Sequence, residues 1–499
     1  MRKPLTLLHA GVALAAMLSL TACSLTPVYQ RPEPAVPAQW PPYAADASRE
    51  AAQAPPVAPA NVAELAWTSY FPDARLQGLI GLALNNNRDL RMAVLHIAQW
   101  RALYQVQQAD RFPTLNGAVS GTRQPATAAP HAITSSATGG VTVSAFELDI
   151  FGRIQALSEA ASAQVMASEE ARKAAHISLI AAVANAYYLL WADRWQLSLS
   201  EHTVASRQAS LKLQQLKFDA GVLNELDWRT AQSLFESARV TRAQAQRQWL
   251  QDTHALNLLL GSVVPADLLP PIPDVADATD AAALTLSPTL WPGLSELPVG
   301  LSSDVLLQRP DVAQAEQQLI AANANIGAAR AARFPRITLT GNAGVVSDSL
   351  SGLFNDGRSA WSFSPSLTLP IWDAGRIQAG IDSAHIKRDI ALAQYDKTLQ
   401  TAFKEVADAL VSRSTQAEQA QAQYAQAQAE TARWRVSTLR YESGVSNQLD
   451  WLDAQRSLFG VQQAWIASQL ARQQAHISVY KALGGGMVSG QIPARLSVQ

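Results

Sequence analysis

The stretch Phe218-Asp-Ala-Gly221-Val-Leu-Asn-Glu-Leu-Asp227-Trp228 occurs a second time, 223 positions later, as Tyr441-Glu-Ser-Gly444-Val-Ser-Asn-Gln-Leu-Asp450-Trp451. Three other motifs return at nearly the same spacing: Arg111-Phe112-Pro113 as Arg333-Phe334-Pro335, Phe151-Gly152-Arg153 as Ala374-Gly375-Arg376, and Leu260-Gly261 as Leu483-Gly484. Because turns and element ends recur in register, the sequence predicts two copies of one structural unit.

A long run without glycine or proline precedes each copy of this stretch. The runs cover residues 153–218 and 381–443, which are 66 and 63 residues. At about 1.5 Å rise per residue, each predicts a helix roughly 95 to 100 Å long. Shorter helical segments at 225–260 and 447–483 are predicted to return antiparallel after Gly221 and Gly444, because glycine permits the φ angles of a sharp reversal.

The composition of these runs is dominated by Ala, Gln and other small residues, as in residues 417–429. Small residues at a seam allow close approach of helices, and the lack of a thick hydrophobic stripe argues against a wide globular core. A soluble coiled-coil rod is the alternative interpretation of the helices alone.

Two segments of each repeat change to a period of two. In repeat two, apolar residues alternate with small polar ones at 337–345 and again at 361–371, with Trp361 and Phe363 on the apolar face. Repeat one has weaker counterparts at 115–122 and 140–150. These patterns predict antiparallel strands, of the kind that faces lipid with aromatic girdles, although a small soluble hairpin in each repeat is the alternative.

Four strands are too few to close a membrane barrel in one chain, for which about eight is the minimum. Unpaired strand edges are prohibitively costly in lipid. If the strands enter a membrane, several subunits must therefore share one barrel.

The amino-terminal residues have the pattern of an export signal. Basic Arg2 and Lys3 precede a mostly apolar run at 5–20, which ends in Leu20-Thr21-Ala22-Cys23. Beyond it, no stretch of about 20 apolar residues predicts a conventional transmembrane helix. Cys23 is the only cysteine, so an intrachain disulfide or a metal cage of several thiolates is excluded.

The ending Leu-Thr-Ala-Cys resembles the bacterial lipobox. This resemblance implies cleavage before Cys23, S-diacylglycerol on its sulfur and N-palmitoyl on its new amino group, and Ser24 rather than Asp favours the outer membrane. An anchor of several acyl chains is stable, at roughly 0.8 kcal/mol per buried methylene. The alternatives are a plain signal peptide with an incidental cysteine and a retained membrane helix.

Composition argues against other function classes. The net charge is -1 with 16% charged residues, which gives no reason to expect a nucleic-acid partner. We find no phosphate loop, His-Glu-x-x-His or Gly-x-Ser-x-Gly motif, while the eight His are scattered and the five Met are not clustered. We therefore predict no enzyme, no catalytic residue, no cofactor and no metal site.

Several motifs together resemble the outer-membrane efflux proteins, the TolC-like outer membrane factors, in their lipoprotein branch. The motifs are Glu147-Leu-Asp-Ile-Phe-Gly152-Arg153, Arg309-Pro310-Asp311, Phe334-Pro335, Ile371-Trp-Asp-Ala-Gly375-Arg376, Tyr441-Glu-Ser-Gly444 and Leu449-Asp450-Trp-Leu-Asp453-Ala. The resemblance implies a mixed α and β membrane protein: a homotrimer with a 12-stranded outer-membrane β-barrel, four strands per chain, continued by a long periplasmic α-helical barrel.

The export-signal pattern, the internal duplication and the composition of the remaining segments give the domain boundaries. We divide the chain into a signal peptide (1–22), a lipidated Pro/Ala-rich arm (23–66), repeat one (67–261, strand pair 114–150), a Pro-rich equatorial linker (262–308), repeat two (309–484, strand pair 336–371) and a tail (485–499).

Site residues follow from matching positions in the family. The resemblance implies adaptor-docking tips at Gly221, Val222, Gly444 and Val445, and a periplasmic gate at Asp450 and Asp453. Six carboxylates at a threefold mouth would favour cations. A first-turn role in a helix capped by Asn447 is the alternative for the two aspartates, and both roles can hold.

Asp227 and Tyr441 match the family's inter-helix latch. Ser446, however, stands where the latch has an arginine, which puts closure by that bond in doubt.

The predicted function is a passive channel that carries drugs or toxic compounds outward, with a periplasmic membrane-fusion adaptor, an inner-membrane pump of the RND type and outer-membrane lipid as partners. The alternatives are a lipid-anchored periplasmic coiled-coil adaptor or structural protein, and a channel for type I protein secretion or metal efflux. The sequence does not identify the exported substrate.

Overall fold

The computed structural model describes residues 24–41, 65–125, 133–271, 287–295, 303–353, 355 and 357–486. The signal peptide and Cys23 lie outside these residues, as do parts of the arm, the linker and the tail. The described residues divide into two compact units. One contains residues of Met1–Glu33, His96–Glu169 and Ala313–Lys397, and the other those of Pro34–Leu95, Glu170–Val312 and Thr398–Gln499.

Helices make up most of the described chain. They are α1 (Trp67–Tyr70), α2 (Ala74–Asn86), α3 (Arg88–Ala109), α4 (Arg153–Asp219), α5 (Glu225–Leu260), α6 (Pro310–Ala331), α7 (Arg376–Glu442) and α8 (Gln448–Ala482).

The two longest helices, α4 and α7, have 67 residues each, as the runs without glycine or proline predict. α7 begins at Arg376, five residues before the run without glycine or proline, because Gly380 is part of the helix. A side chain at Gly380 would meet nothing within 4 Å. α5 ends at Leu260 and is followed by the C-cap residue Gly261. The φ of Gly261 is 65°, which is left-handed, and its amide donates a hydrogen bond to the Leu258 carbonyl.

The sequence of residues 76–110 has a helical pattern, and the segment forms two helices, α2 and α3. Asn87 separates them because its backbone is extended, with φ of -60° and ψ of 131°. Its side chain accepts a hydrogen bond from the Leu90 amide at 2.9 Å and donates one to the Leu259 carbonyl at 2.9 Å. Asn is a preferred N-cap residue, so the break starts a second helix at little cost.

One four-stranded antiparallel sheet contains all the predicted strands, in the order β1 (Leu115–Pro125), β2 (Ile133–Leu148), β3 (Arg336–Ser347) and β4 (Arg358–Thr368). The strand pairs of the two repeats meet at β2 and β3. Their register shifts between Val143 and Phe146, where Ala145 has a positive φ of 49°. This bulge re-aims the end of β2.

Residues just after Cys23 contact α6 within the first unit. Arg31 forms two hydrogen bonds to Glu316, from Nε at 2.7 Å and from Nη2 at 2.8 Å, and Tyr29 adds a third at 3.1 Å. A Cβ at Gly327 would overlap Thr26. The described part of the arm is therefore held by specific contacts rather than extended freely.

In the second unit, aromatic side chains form much of the core. Tyr70 stacks on Tyr480 with ring centroids 4.2 Å apart, and both are fully buried. Arg309 donates to the Ala482 carbonyl at the end of α8 and pairs with Asp311 and Glu405. These contacts fix the carboxyl-terminal end of α8.

Contrary to the expectation from sequence, α4 contains a window that is long and apolar enough to cross a membrane. About half of that window, 56%, is buried inside the protein. Because a core helix of a soluble protein passes the same test, this is weak evidence for a membrane span.

Candidate functional site

The first duplicated turn joins α4 to α5. Gly221 has a φ of 71°, and the Val222 amide donates to the Lys217 carbonyl at 2.9 Å. Asn224 then caps α5, since its side chain accepts from the Asp227 amide at 2.8 Å. Gly221 therefore ends α4, and Asn224, three residues later, caps the start of α5.

The second turn joins α7 to α8 with the same backbone. Gly444 has a φ of 70°, and the Val445 amide donates to the Arg440 carbonyl at 2.9 Å. Asn447 accepts from the Asp450 amide at 2.8 Å. Asp450 lies in the first turn of α8, as the alternative from sequence expects, whereas Asp453 lies beyond that turn.

Stacked aromatic rings close both turns. Phe218 lies 5.2 Å from Trp228 at an interplanar angle of 13°, and Tyr441 lies 5.1 Å from Trp451 at 11°. The second tryptophan also donates from Nε1 to Thr438 Oγ1 at 3.1 Å. The stacked ring pair is therefore a common part of the duplicated unit, whereas the hydrogen-bond network around it is not.

Exposed apolar residues lie at both turns. Val222 and Leu226 are 78% and 75% exposed in the first, and Val445 and Leu449 are 67% and 70% exposed in the second. Each turn therefore offers a small apolar surface. The docking role expected of these residues stays a prediction.

The two gate candidates line one groove beside the second turn. Its volume is about 600 Å³, and its lining combines small and charged residues: Ala432, Arg433, Val436, Ser437, Arg440, Ser446, Asp450 and Asp453. The sequence correctly places Asp450 and Asp453 on a common face, since a spacing of three residues makes helix neighbours.

Of the two gate candidates, only Asp453 forms ion pairs with other described residues. Arg433 on α7 donates to it at 3.0 Å and Arg456 on α8 at 2.6 Å. Hydrogen bonds from Arg433 first, and then from Arg456, hold the pKa of Asp453 below its usual range. Its negative charge is therefore largely compensated within the chain.

The two latch candidates have separate partners. The Tyr441 hydroxyl accepts from Lys217 Nζ at 3.3 Å and lies 3.5 Å from Gln214 Nε2, whereas Asp227 accepts from the Asn224 side chain at 2.9 Å. Neither contact joins Tyr441 to Asp227. Tyr441 on α7 is instead bonded to Lys217 on α4 of the other hairpin.

Lys217, Arg433 and Arg456 are site residues that the sequence reasoning missed. Arg456 could have been found, because it lies three residues after Asp453 on the same helix. Arg433 and Lys217 reach their partners from other helices, and no spacing rule applies to them.

The sheet presents two open edges and an exposed aromatic face. β1 and β4 pair on one side only, each over 11 residues. Trp361 and Phe363 on β4 are 80% and 61% exposed, and Trp372, four residues after β4, is 88% exposed. Large aromatic side chains left open to this extent mark a surface that contacts lipid or another protein.

Within the part of the chain that the structure describes, no group of three or more His, Cys, Asp or Glu residues could hold a metal ion. In the groove beside the second turn, Arg433 and Arg456 pair with Asp453, whereas no described ion pair involves Asp450.

Comparison with known proteins gives consistent matches over nearly the whole chain. The family model described as "Outer membrane efflux protein" matches twice, at residues 79–262 and 301–485. The antibiotic efflux pump outer membrane protein ArpC and the toluene efflux pump outer membrane protein TtgC, both of Pseudomonas putida, are each 42% identical to this chain over 492 residues, covering 96% of this chain and 96% of the relative.

A solved structure agrees with these matches. The open state of the MtrE outer membrane channel of Neisseria gonorrhoeae has a TM-score of 0.77 and 36% identity, covering 93% of this chain and 99% of that chain.

Proposed function

The chain belongs to the outer membrane efflux protein family, and we propose that three copies of it form the passive exit channel of a tripartite efflux pump. It is an outer-membrane protein of an efflux system. The observation that carries the proposal is a sheet of four strands with two open edges, in the same chain as two helices of 67 residues.

Edge pairing supports the trimer. Because neighbouring strands are antiparallel throughout, β1 and β4 run in opposite directions. β4 of one copy can therefore pair with β1 of the next and continue the antiparallel pattern. Three copies give 12 strands without an open edge, which satisfies the need to pair every backbone group in lipid.

For the anchor, we propose that Cys23 carries the S-diacylglycerol and N-palmitoyl groups. The contacts of Arg31 with Glu316 support this, since they hold the chain shortly after the lipidated residue. Metabolic labelling with a fatty acid tests the anchor: label should disappear in Cys23→Ser and remain in Ser24→Ala, and label that persists in Cys23→Ser contradicts the proposal.

At the gate, we propose that Asp450 and Asp453 of three copies surround the periplasmic mouth. Arg433 and Arg456 compensate Asp453 within the chain, so Asp450 contributes most of the field that favours cations. For the latch, the contact of Tyr441 with Lys217 supports a bond between the hairpins that does not need an arginine at position 446.

For partners, we propose that the tips around Gly221, Val222, Gly444 and Val445 contact a periplasmic membrane-fusion adaptor, which joins the channel to an inner-membrane pump of the RND type. The exposed apolar residues of both turns support an interface there. Toxic organic compounds are the proposed cargo, because two relatives of equal identity are named for antibiotics and for toluene.

Conductance in planar bilayers tests the channel. Purified protein should form pores that prefer cations, and Asp450→Ala should weaken that preference more than Asp453→Ala, whose charge is already paired. Glu225→Ala, which removes an exposed carboxylate from the first turn, is the matched control and should change nothing. Protein that never forms pores, even with both aspartates replaced, contradicts the channel.

A further inference from the structure

The loop between β3 and β4, residues 348–357, is folded against one face of the sheet. Its described part contains a short 3₁₀ helix, Ser351–Leu353, and Leu353 is 3% exposed. A Cβ built on Gly139 would lie 2.8 Å from the Leu353 side chain and 3.7 Å from that of Val119. Leu353 therefore packs on the face to which Val119 points, in the space that Gly139 leaves open.

The strand register identifies this face. Directly paired residues point to the same side of a sheet, and one such row consists of Val119, Gly139, Val345 and Ser359. Trp361, two residues after Ser359, lies on the same side, so this is the exposed aromatic face. The opposite face is polar, and the hydroxyls of Ser120 and Thr138 meet on it at 2.7 Å. In the proposed barrel the aromatic face contacts lipid and the polar face lines the lumen, so the loop lies on the lipid side.

The loop also lies at the end of the sheet that is remote from the long helices. α4 and α7 follow the opposite ends of β2 and β4. The proposed function places these helices in the periplasm, and the inference rests on that function. The end of the sheet with the β3–β4 loop then reaches the outer leaflet of the membrane.

Three serine hydroxyls cluster in this loop. Ser349 Oγ lies 3.3 Å from Ser351 Oγ and accepts from the Gly352 amide at 3.1 Å. A Cβ at Gly352 would lie 2.5 Å from Ser347 Oγ, which accepts from the Ser349 amide at 3.4 Å. Ser349 and Ser351 are exposed. Because a hydroxyl has one donor and two acceptor sites, the cluster can form further hydrogen bonds with a ligand.

A cation lies beside these hydroxyls on the same face. Arg123 pairs with Ser135 on β2, two residues before Ala137, which pairs with Ser347. Rows two residues apart on one face are separated by about 7 Å, a distance that an arginine side chain can span. Arg123 is exposed, and its side chain forms no hydrogen bond or ion pair with the described residues.

We propose that Arg123 and the serines of the β3–β4 loop bind a phosphate group of an anionic glycolipid in the outer leaflet. A guanidinium and hydroxyl groups match phosphate oxygens, and hydroxyls also match those of a sugar. Leu350, 63% exposed between two of the serines, contacts the acyl region. The occupant is a lipid rather than a soluble phosphate, because the site continues the exposed aromatic face. The packing of Leu353 holds the hydroxyls in place.

Native mass spectrometry of the purified full chain, titrated with diphosphoryl lipid A, tests the site. Wild type should bind the lipid, and Arg123→Gln should raise its dissociation constant at least tenfold, because a charge-assisted hydrogen bond is lost. Leu353→Ser, which releases the loop from the sheet, should also weaken binding. Arg358→Gln is the matched control. This exposed arginine follows the same loop, but its pairing with Val346 places it on the polar face, so binding should not change.

Equal affinity of wild type and Arg123→Gln for lipid A overturns the site, and this comparison remains decisive if Leu353→Ser does not fold. Equal or tighter binding of phosphatidylglycerol overturns the choice of a glycolipid. Binding of inorganic phosphate that depends on Arg123, without binding of lipid A, overturns the lipid as the source of the phosphate. Conducting wild-type protein that does not bind lipid A contradicts this inference alone, whereas wild type that binds lipid A without forming pores contradicts the channel alone.

Discussion

The two helical hairpins have the same turn and opposite environments. The backbone of the Gly221 turn matches that of the Gly444 turn to within a degree in glycine φ, and the asparagine caps are alike. Yet most of α5 is exposed and only four of its residues are buried, namely Ala231, Ala238, Leu256 and Leu260. α8, of nearly equal length, buries fifteen.

This difference shows where the duplicated unit diverged. Positions 223 residues apart have the same backbone, but their side chains meet different surroundings. Gln455 is buried, while its counterpart Gln232 is half-buried. Trp465 is fully buried, while its counterpart Arg242 is exposed. The turn is a local structure that each copy keeps by itself, whereas burial depends on which helices pack against each hairpin.

Trp465 and Arg242 are equivalent positions that differ strongly in burial, and we expect substitutions there to differ most in their effect on stability. Trp465→Ala should lower the free energy of unfolding by about 3–5 kcal/mol, because a fully buried aromatic side chain leaves a cavity. Arg242→Ala should change it by no more than about 0.5 kcal/mol. Thermal unfolding in detergent, followed by circular dichroism, measures both. Equal shifts in the two variants would show that the burial difference is absent in the assembled protein.

Substitution of the two turn glycines tests the backbone conformation that the hairpins share, and we expect a smaller loss of stability. Gly221→Ala and Gly444→Ala should each cost about 1–2 kcal/mol, since a Cβ disfavours the left-handed backbone and nothing else lies within 4 Å of either position. Gly380→Ala, inside α7, is the control and should stabilise by about 0.5–1 kcal/mol. A clear inequality between the two turns in the same unfolding measurement would mean that the assembly supports one turn and not the other.

A third substitution makes the second turn more like the first, and we expect its effect on stability to be the weakest. Tyr441→Phe gives the second turn the residue type of Phe218, keeps the ring stack on Trp451 and removes the hydroxyl that accepts from Lys217. The loss should be about 0.5–1.5 kcal/mol, the usual net value of one hydrogen bond. A change near 1 kcal/mol shifts an equilibrium by about fivefold.

We therefore expect Tyr441→Phe channels to open several-fold more often in single-channel recordings. Lys217→Met should reproduce the increase, and the double variant should add nothing further. If the two effects add in full, the hydroxyl and the ammonium act separately and the latch proposal fails.

Most helices, strands and turns are predictable from local features of the sequence. Runs without glycine or proline gave α4 and α7, period-two segments gave the strands, and the glycine and asparagine positions gave both turns, because these are local consequences of backbone geometry. Local sequence reasoning missed the break at Asn87, where a side chain bonds the distant Leu259 carbonyl. The family resemblance supplied Asp450 and Asp453 as candidates, and their shared groove agrees with helix periodicity.

Which hairpin is buried and which charges are paired depends on tertiary packing. Arg433 reaches Asp453 from a neighbouring helix, and Lys217 reaches Tyr441 from the other hairpin. Gln455, Gln462 and Gln469 recur every seven residues on α8. Their polarity would predict a solvent-exposed face, but all three are buried. Burial is a property of neighbours brought from far along the chain, so a spacing rule that acts over a few residues cannot reveal it.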